Sequence, residues 1–187
     1  MRIETERLII TEFTLDMAEA VHLNSLDEDN RRFVPDEVFE TTEEALETIT
    51  FLRSQYGRCD GPQVYPVLLK ADETNIGYVQ MVPIEDGHWE IGYHIAKEYT
   101  GNGYATEAVR AFLPLMAKAV GICEVHGICL ADNIASRHVL MKCGFEPVFE
   151  GVGGYQGEER EVFRSVRRIG RQEPSSASLK DPSSGNT

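Results

Sequence analysis

Glu98-Tyr99-Thr100-Gly101-Asn102-Gly103-Tyr104-Ala105-Thr106-Glu107-Ala108 decides how the whole chain is read. Before it, Trp89 to Ile95 alternates and is rich in aromatics, as a strand is; after it, Ala105, Ala108, Val109, Phe112, Met116 and Ala119 recur at helical spacing. Two glycines therefore stand where a strand turns into a helix. The first N–H groups of a helix lack partners within it, and the helix dipole places partial positive charge there. Gly101 and Gly103 remove side chains that would hold an anion away, and both can take positive φ, so a pyrophosphate fits this turn. A glycine pair before a helix is also simply a turn, and spacing alone leaves both readings open. No Gly-Lys-Ser/Thr is present for a nucleotide P-loop, and Gly101 to Thr106 lacks the third small residue of a dinucleotide fingerprint.

Beyond spacing, Thr100-Gly-Asn-Gly103-Tyr-Ala105, followed by Thr-Glu-Ala, resembles the coenzyme A loop of the GNAT superfamily of N-acetyltransferases, Q/R-x-x-G-x-G/A. Gly103 and Ala105 take its small positions, and Thr100 departs from the usual Gln or Arg. Asn133-Ile-Ala-Ser136-Arg-His-Val139-Leu-Met-Lys142-Cys-Gly144-Phe145 is similar to the Asn-x-x-Ser-x-x-Val-x-x-Lys-x-Gly-Phe segment of the RimJ/RimL type, the ribosomal-protein N-terminal acetyltransferase subgroup. Thr5-Glu6-Arg7-Leu8 resembles that subgroup's opening strand. The resemblance spans residues 3 to 167 and implies an α/β fold with a central mixed sheet, helices on both faces, and acetyl-CoA as cosubstrate.

A chain of 187 residues suits one domain, and at this length folding buries roughly 70% of the unfolded surface. The 18 basic and 31 acidic residues give a net charge of −13, which disfavours nucleic acid and anionic membranes and favours a cationic partner such as an amine. Cys59, Cys123, Cys129 and Cys143 show no C-x-x-C pair and no zinc-like His spacing, so no metal is expected. The N-terminus is too charged for a secretory segment, and no apolar run approaches the roughly 20 residues of a membrane span. A cytoplasmic protein is the expectation.

In chain order, Arg7 to Phe13 reads as a strand covered on both faces, and Thr14 as the N-cap of a helix to Ser25. Leu26 to Phe39 reads as a loop or broken helix whose Phe33 and Phe39 either cover a substrate groove or tack the loop to the core. Thr41-Thr42-Glu43-Glu44 is a capping box opening a helix to Tyr56. Gln63 to Lys70 and Asn75 to Pro83 form a hairpin, and Pro114 should kink the helix that begins at Tyr104. Glu124 to Leu130 is a strand, Asn133 to Cys143 a short helix, and Phe145 to Val152 pairs with Glu159 to Arg167 around Gly151 to Gly157. The domain is placed at 1–167; residues 168–187, rich in Ser and Pro, read as a disordered tail.

Acetyl transfer to an amine needs a base for the ammonium, donors for the developing oxyanion, and a proton for the leaving thiolate. The resemblance assigns the base to Glu90, on the strand before the loop, and the oxyanion donors to backbone N–H groups at His94, Ile95 and Ala96. The last-helix tyrosine of many GNAT enzymes is Leu140 here; the RimJ/RimL resemblance instead implies a serine of this helix, Ser136, as the acid. Thr100, Gly101, Asn102, Gly103, Tyr104, Ala105 and Asn133 are the remaining expected acetyl-CoA contacts. Direct attack in a ternary complex is the expected route, with the acceptor open between a peptide N-terminus and a small amine, and the protein a monomer or homodimer. The missing tyrosine and altered Thr100 also keep open a non-catalytic acyl-CoA-binding module.

Overall fold

The computed structural model describes residues 1–170. Eight strands form one sheet in the order β1-β2-β3-β4-β5-β6-β8-β7: β1 Ile3–Glu4, β2 Leu8–Ile10, β3 Gln63–Leu69, β4 Asn75–Pro83, β5 Trp89–Ile95, β6 Glu124–Leu130, β7 Glu146–Tyr155 and β8 Glu158–Arg168. All neighbours are antiparallel except β5 and β6, the pair joined by a helical crossover. The helices are α1 Ala18–Ser25, α2 Glu28–Phe33, α3 Thr42–Gln55, α4 Tyr104–Val120 and α5 Ile134–Lys142.

Alternation along the strands divides the core between the two sheet faces. Tyr65 and Val67 of β3 pack with Val109, Phe112 and Leu113 of α4, whereas Val64 faces Ala18 of α1 and Ala45 and Ile49 of α3. The three residues of β2 are all buried, as a strand covered on both sides requires. Pro114 does not interrupt α4. An interior proline costs about 3 kcal/mol, but Ala108, Val109, Phe112, Leu113, Met116 and Ala117 are each no more than 2% exposed, and large side chains buried this fully contribute about 1.5–3 kcal/mol each. Packing wins, and Pro114 lies on the exposed side of the helix.

Several expectations are corrected. Thr14 makes no capping bond; a 3₁₀ turn, Leu15–Met17, precedes α1. Residues 26–39 take the broken-helix alternative, as α2 and a 3₁₀ turn, Pro35–Glu37, because Asp27 caps α2 and buried Asn30 donates to the carbonyls of Ser25 and Glu37 at 3.0 and 3.1 Å. The last hairpin is longer than expected, turning at Gln156-Gly157 with φ of 50° and 81°, the positive pair a tight primed turn demands. β8 runs through Arg168, one residue past the expected boundary, and Ile169 donates to the carbonyl of Cys123 at 2.8 Å. Residues 171–187 of the expected tail lie outside the described residues. The α3 capping bond forms, Glu44 N–H to Thr41 Oγ1 at 3.2 Å.

Candidate active site

β5 is paired along its whole length with β4, from Pro83↔Trp89 to Gly77↔Ile95, and β6 likewise with β8. Between β5 and β6 the register joins at Glu90↔His126, and beyond it the strands part. A cavity of about 570 Å³ lies in this opening. Its walls are β5, the loop and first turn of α4, α5, the segment 27–37 and the tip of the β7–β8 hairpin.

The glycine loop forms one end. Gly101 and Gly103 have φ of 79° and 81°, a conformation other residues adopt only with strain. Gly103 is the N-cap of α4, so the helix's unpaired N–H groups open towards this end of the cavity. Asn102 Nδ2 donates to the Tyr99 and Thr100 carbonyls at 3.1 and 3.2 Å and Thr100 Oγ1 to that of Lys97 at 2.8 Å, so these two side chains hold the loop's shape. The opening strand has a part here that its sequence did not disclose. Thr5 Oγ1 and Arg7 Nε donate to Glu107 at 2.6 and 2.7 Å, and Arg7 Nη1 donates to the Asn102 carbonyl at 3.0 Å. Arg7 thus brings a guanidinium beside Gly103, salt-bridged to Glu107 at 2.6 Å, and so braces the loop and the first turn of α4. Burial would raise the Glu107 carboxyl, but these bonds outweigh it and hold it below the ordinary carboxylate range.

At the strand end, two of the three expected donors, Ala96 and His94, are corrected. Ala96 N–H donates to the Ile76 carbonyl at 2.8 Å. Antiparallel alternation then turns the N–H of His94 towards β4 as well, and leaves those of Tyr93 and Ile95 facing the gap. His94 contributes its ring instead, with Nε2 3.1 Å from Asp27 Oδ2; that contact, first among several, keeps the Asp27 carboxyl low. Asn133 caps α5, its Oδ1 accepting from Ser136 N–H at 3.0 Å. Ser136 Oγ lies 2.9 Å from the Tyr93 hydroxyl, which also reaches the Ser136 carbonyl at 3.0 Å. Leu140, at the position of the absent tyrosine, is 1% exposed and belongs to the core. Tyr93 therefore puts a phenol beside Ser136 from the opposite wall.

Glu90 lines the cavity's other end, where Glu37 faces it from the 3₁₀ turn. Burial first, and then the neighbouring Glu37, push the Glu90 carboxyl up to about 7, with Arg164 opposing and Asp36 adding to the rise. Glu37 is also raised to about 7 by burial, with a contribution from Asp36, although Gln80 Nε2 donates to its Oε1 at 2.9 Å. Gln80 reaches it because residue 92 is glycine: a Cβ there would lie 2.6 Å from Gln80 Nε2. Phe33 lines the cavity, while Phe39 packs into the α1–α3 core and tacks the loop down as the second loop reading expects.

Glu37, Tyr93, Tyr155 and Arg7 are absent from the sequence-derived set. The first three were placed by strand register and by the fold of 27–37, which leave no local pattern; Arg7 lay in a recognised motif without an assigned part.

Among the described residues, His88, Glu124 and His126 have ligand-type atoms within 4.8 Å of one another. Glu124 is already paired with Arg168 at 3.3 Å and His88 is exposed. No helix among the described residues is long and apolar enough to cross a membrane.

A mixed sheet joined at one point between β5 and β6, with a positive-φ glycine loop at a helix start, suits an acyl-CoA-dependent transferase. The sequence matches the acetyltransferase (GNAT) domain over residues 7–146, and the chain belongs to that family of acetyl-CoA-dependent N-acetyltransferases. It is 31% identical over 145 residues to the uncharacterized N-acetyltransferase YnaD of Bacillus subtilis (strain 168), covering 77% of this chain and 82% of that one. A GNAT-family acetyltransferase from Bacillus anthracis superposes with a TM-score of 0.76 at 24% identity, covering 90% of this chain and 98% of the other. RimL, a ribosomal L7/L12 alpha-N-protein acetyltransferase solved in complex with coenzyme A, gives 0.76 at 19% over the same shares, a likeness of fold.

Proposed function

We propose that the protein transfers the acetyl group of acetyl-CoA to a primary amine by direct attack, with Glu90 as general base and Ser136, backed by Tyr93, as the proton source for the leaving thiolate. The observation that carries this reading is the placement of Glu90 and Ser136 in one cavity whose far end is the Gly101–Gly103 loop. The loop N–H groups, with Arg7 beside them, suit the pyrophosphate, and the gap between β5 and β6 suits an extended thioester arm.

The chemistry balances on these groups. Alkylamines have a pKa near 10.4 and arrive protonated. Glu90, poised near neutrality by its surroundings, takes one proton directly or through water, and the freed nitrogen adds to the thioester carbonyl. The N–H of Ile95, facing the gap, suits the charge growing on the carbonyl oxygen, since a fixed backbone donor needs no reorganisation. As the C–N bond forms and the C–S bond breaks, the nitrogen sheds a second proton and the thiolate takes one through Ser136. The products are an amide, a free thiol and one net proton. Cys129 is no rival nucleophile, because burial pushes its thiol up to about 11.

Calorimetric titration with acetyl-CoA, with Gly103→Glu as control, tests the reading together with release of coenzyme A across an amine panel. Binding that Gly103→Glu abolishes, accompanied by turnover, is expected. Binding without turnover of any amine would favour the acyl-CoA-binding module, and no binding by the folded protein would end both.

A further inference from the structure

We infer that Glu37 is the acceptor-binding residue of this site, that it and Glu90 form a two-carboxylate seat for one ammonium group, and that the acceptor is a small-molecule primary amine rather than the N-terminus of a folded protein. This rests on the acetyl-transfer reading above and concerns the half of the cavity opposite the glycine loop.

The first argument is an unfilled valence. Glu37 Oε1 accepts from Gln80, but Oε2 is buried with no partner, which is costly for the ionised carboxylate until a proton or a ligand donor reaches it. Asp36 adds a further negative charge. Arg164 is the cation of this end: Nη2 donates to the Gly154 carbonyl at 3.3 Å, its guanidinium lies over the Phe149 ring, its Nε is buried without a partner, and its charge opposes the rise of Glu90. Glu37, Glu90 and Asp36 outnumber it, so with the two buried carboxyls ionised the seat keeps an excess of negative charge that an ammonium offsets.

The second argument is the roof. Segment 27–37 crosses the opening and is tied down on both sides: to β5 and the turn after it by Asp27 to His94 and Asp29 to Lys97, and across the gap by Arg32 to Asp132 at 2.5 Å. Tyr155 Oη donates to the Phe33 carbonyl at 2.7 Å, and Gln156 bonds Asp36, closing the hairpin tip onto the same segment. One cavity of about 570 Å³ takes both the thioester arm and the amine end of the acceptor, and the bonded segment 27–37 and hairpin tip narrow the way in, which favours a compact acceptor. Phe33, Val34 and Val82 line it, which suits an amine carrying a short apolar body.

The test compares 2-phenylethylamine, n-butylamine and a short serine-initiated peptide as acceptors for the wild type, Glu37→Gln and Glu37→Asp. The expected result is a higher kcat/KM for the small amines than for the peptide. Glu37→Gln should raise the amine KM about tenfold or more, as loss of a charge-assisted bond implies. Glu37→Asp should fall between, with acetyl-CoA binding by calorimetry unchanged in both variants. Preference for the peptide overturns the substrate class, and an amine KM unmoved by Glu37→Gln overturns the residue's role. Either outcome leaves acetyl transfer standing, whereas acetyl-CoA binding with no turnover of any acceptor overturns both this inference and the reading beneath it.

Discussion

The two ends of the cavity are built on different principles. The glycine-loop end is mostly local: Thr100 to Ala105 is continuous in sequence, its side chains bond carbonyls two or three residues away, and its anion affinity comes from a helix start, with Arg7 and Thr5 bracing it from a distance. The carboxylate end is assembled from afar. Glu90 comes from β5, Glu37 from a 3₁₀ turn, Gln80 from β4 and Tyr155 from the final hairpin, and buried Asn30 holds the segment that brings Glu37 inward. Local construction suits a part that binds one unvarying cosubstrate. Construction from several loops lets the acceptor pocket change without disturbing that part, so each end should be separable by mutation.

The largest separation is expected from Glu90→Gln. Loss of a general base lowers kcat by about 10²–10⁴-fold, while calorimetric affinity for acetyl-CoA should not move; a parallel loss of binding would mean the ends are one unit. The wild-type rate should climb as pH rises through about 7, because the base works only when ionised, and that inflection should vanish in the variant, leaving the amine's own titration. The groups surrounding Glu90 are Glu37 and Asp36 from the 3₁₀ turn, Arg164 from β8, Tyr155 from β7, and Cys129 and His126 from β6.

Asn30→Ala should come next, costing about 2–3 kcal/mol in denaturant unfolding through the carbonyls of Ser25 and Glu37 left without their buried donor. Amine KM should rise with it, and acetyl-CoA affinity should hold in the folded fraction.

Glu37→Gln sharpens the comparison through stability. A carboxyl raised to about 7 in the folded state favours folding fully below its unfolded pKa near 4.5 and loses that contribution as pH rises through about 7. The variant should therefore be more stable than wild type at pH 8, by about 2 kcal/mol, and nearly equal at pH 4; equal melting temperatures at both pH values would contradict the burial argument. The smallest effect is expected from Thr100→Arg, which restores the family's usual cation. Since residue 100 is exposed, acetyl-CoA affinity should improve by about threefold at low ionic strength and the gain should fade with salt.

The sequence by itself determined what depends on near neighbours and on period. The strand–glycine–helix transition, the α3 capping box, the β3–β4 hairpin and the Asn133 cap are set by residues within a few positions of one another, and those expectations agree with the structure. The resemblance carried by the loop and by the Asn133–Phe145 block led to the right family for the same reason, since both are short contiguous motifs. Only the tertiary structure decided the rest. Whether Ala96 or Ile95 has a free N–H depends on which neighbour β5 pairs with; whether Glu37 points to solvent or to Glu90 depends on Asn30, Gln80 and the missing side chain at Gly92; and the Tyr93–Ser136 and Arg7–Glu107 contacts join residues far apart in the chain. Register and burial are properties of the assembled sheet, and a linear pattern holds no record of them until the strands are in order.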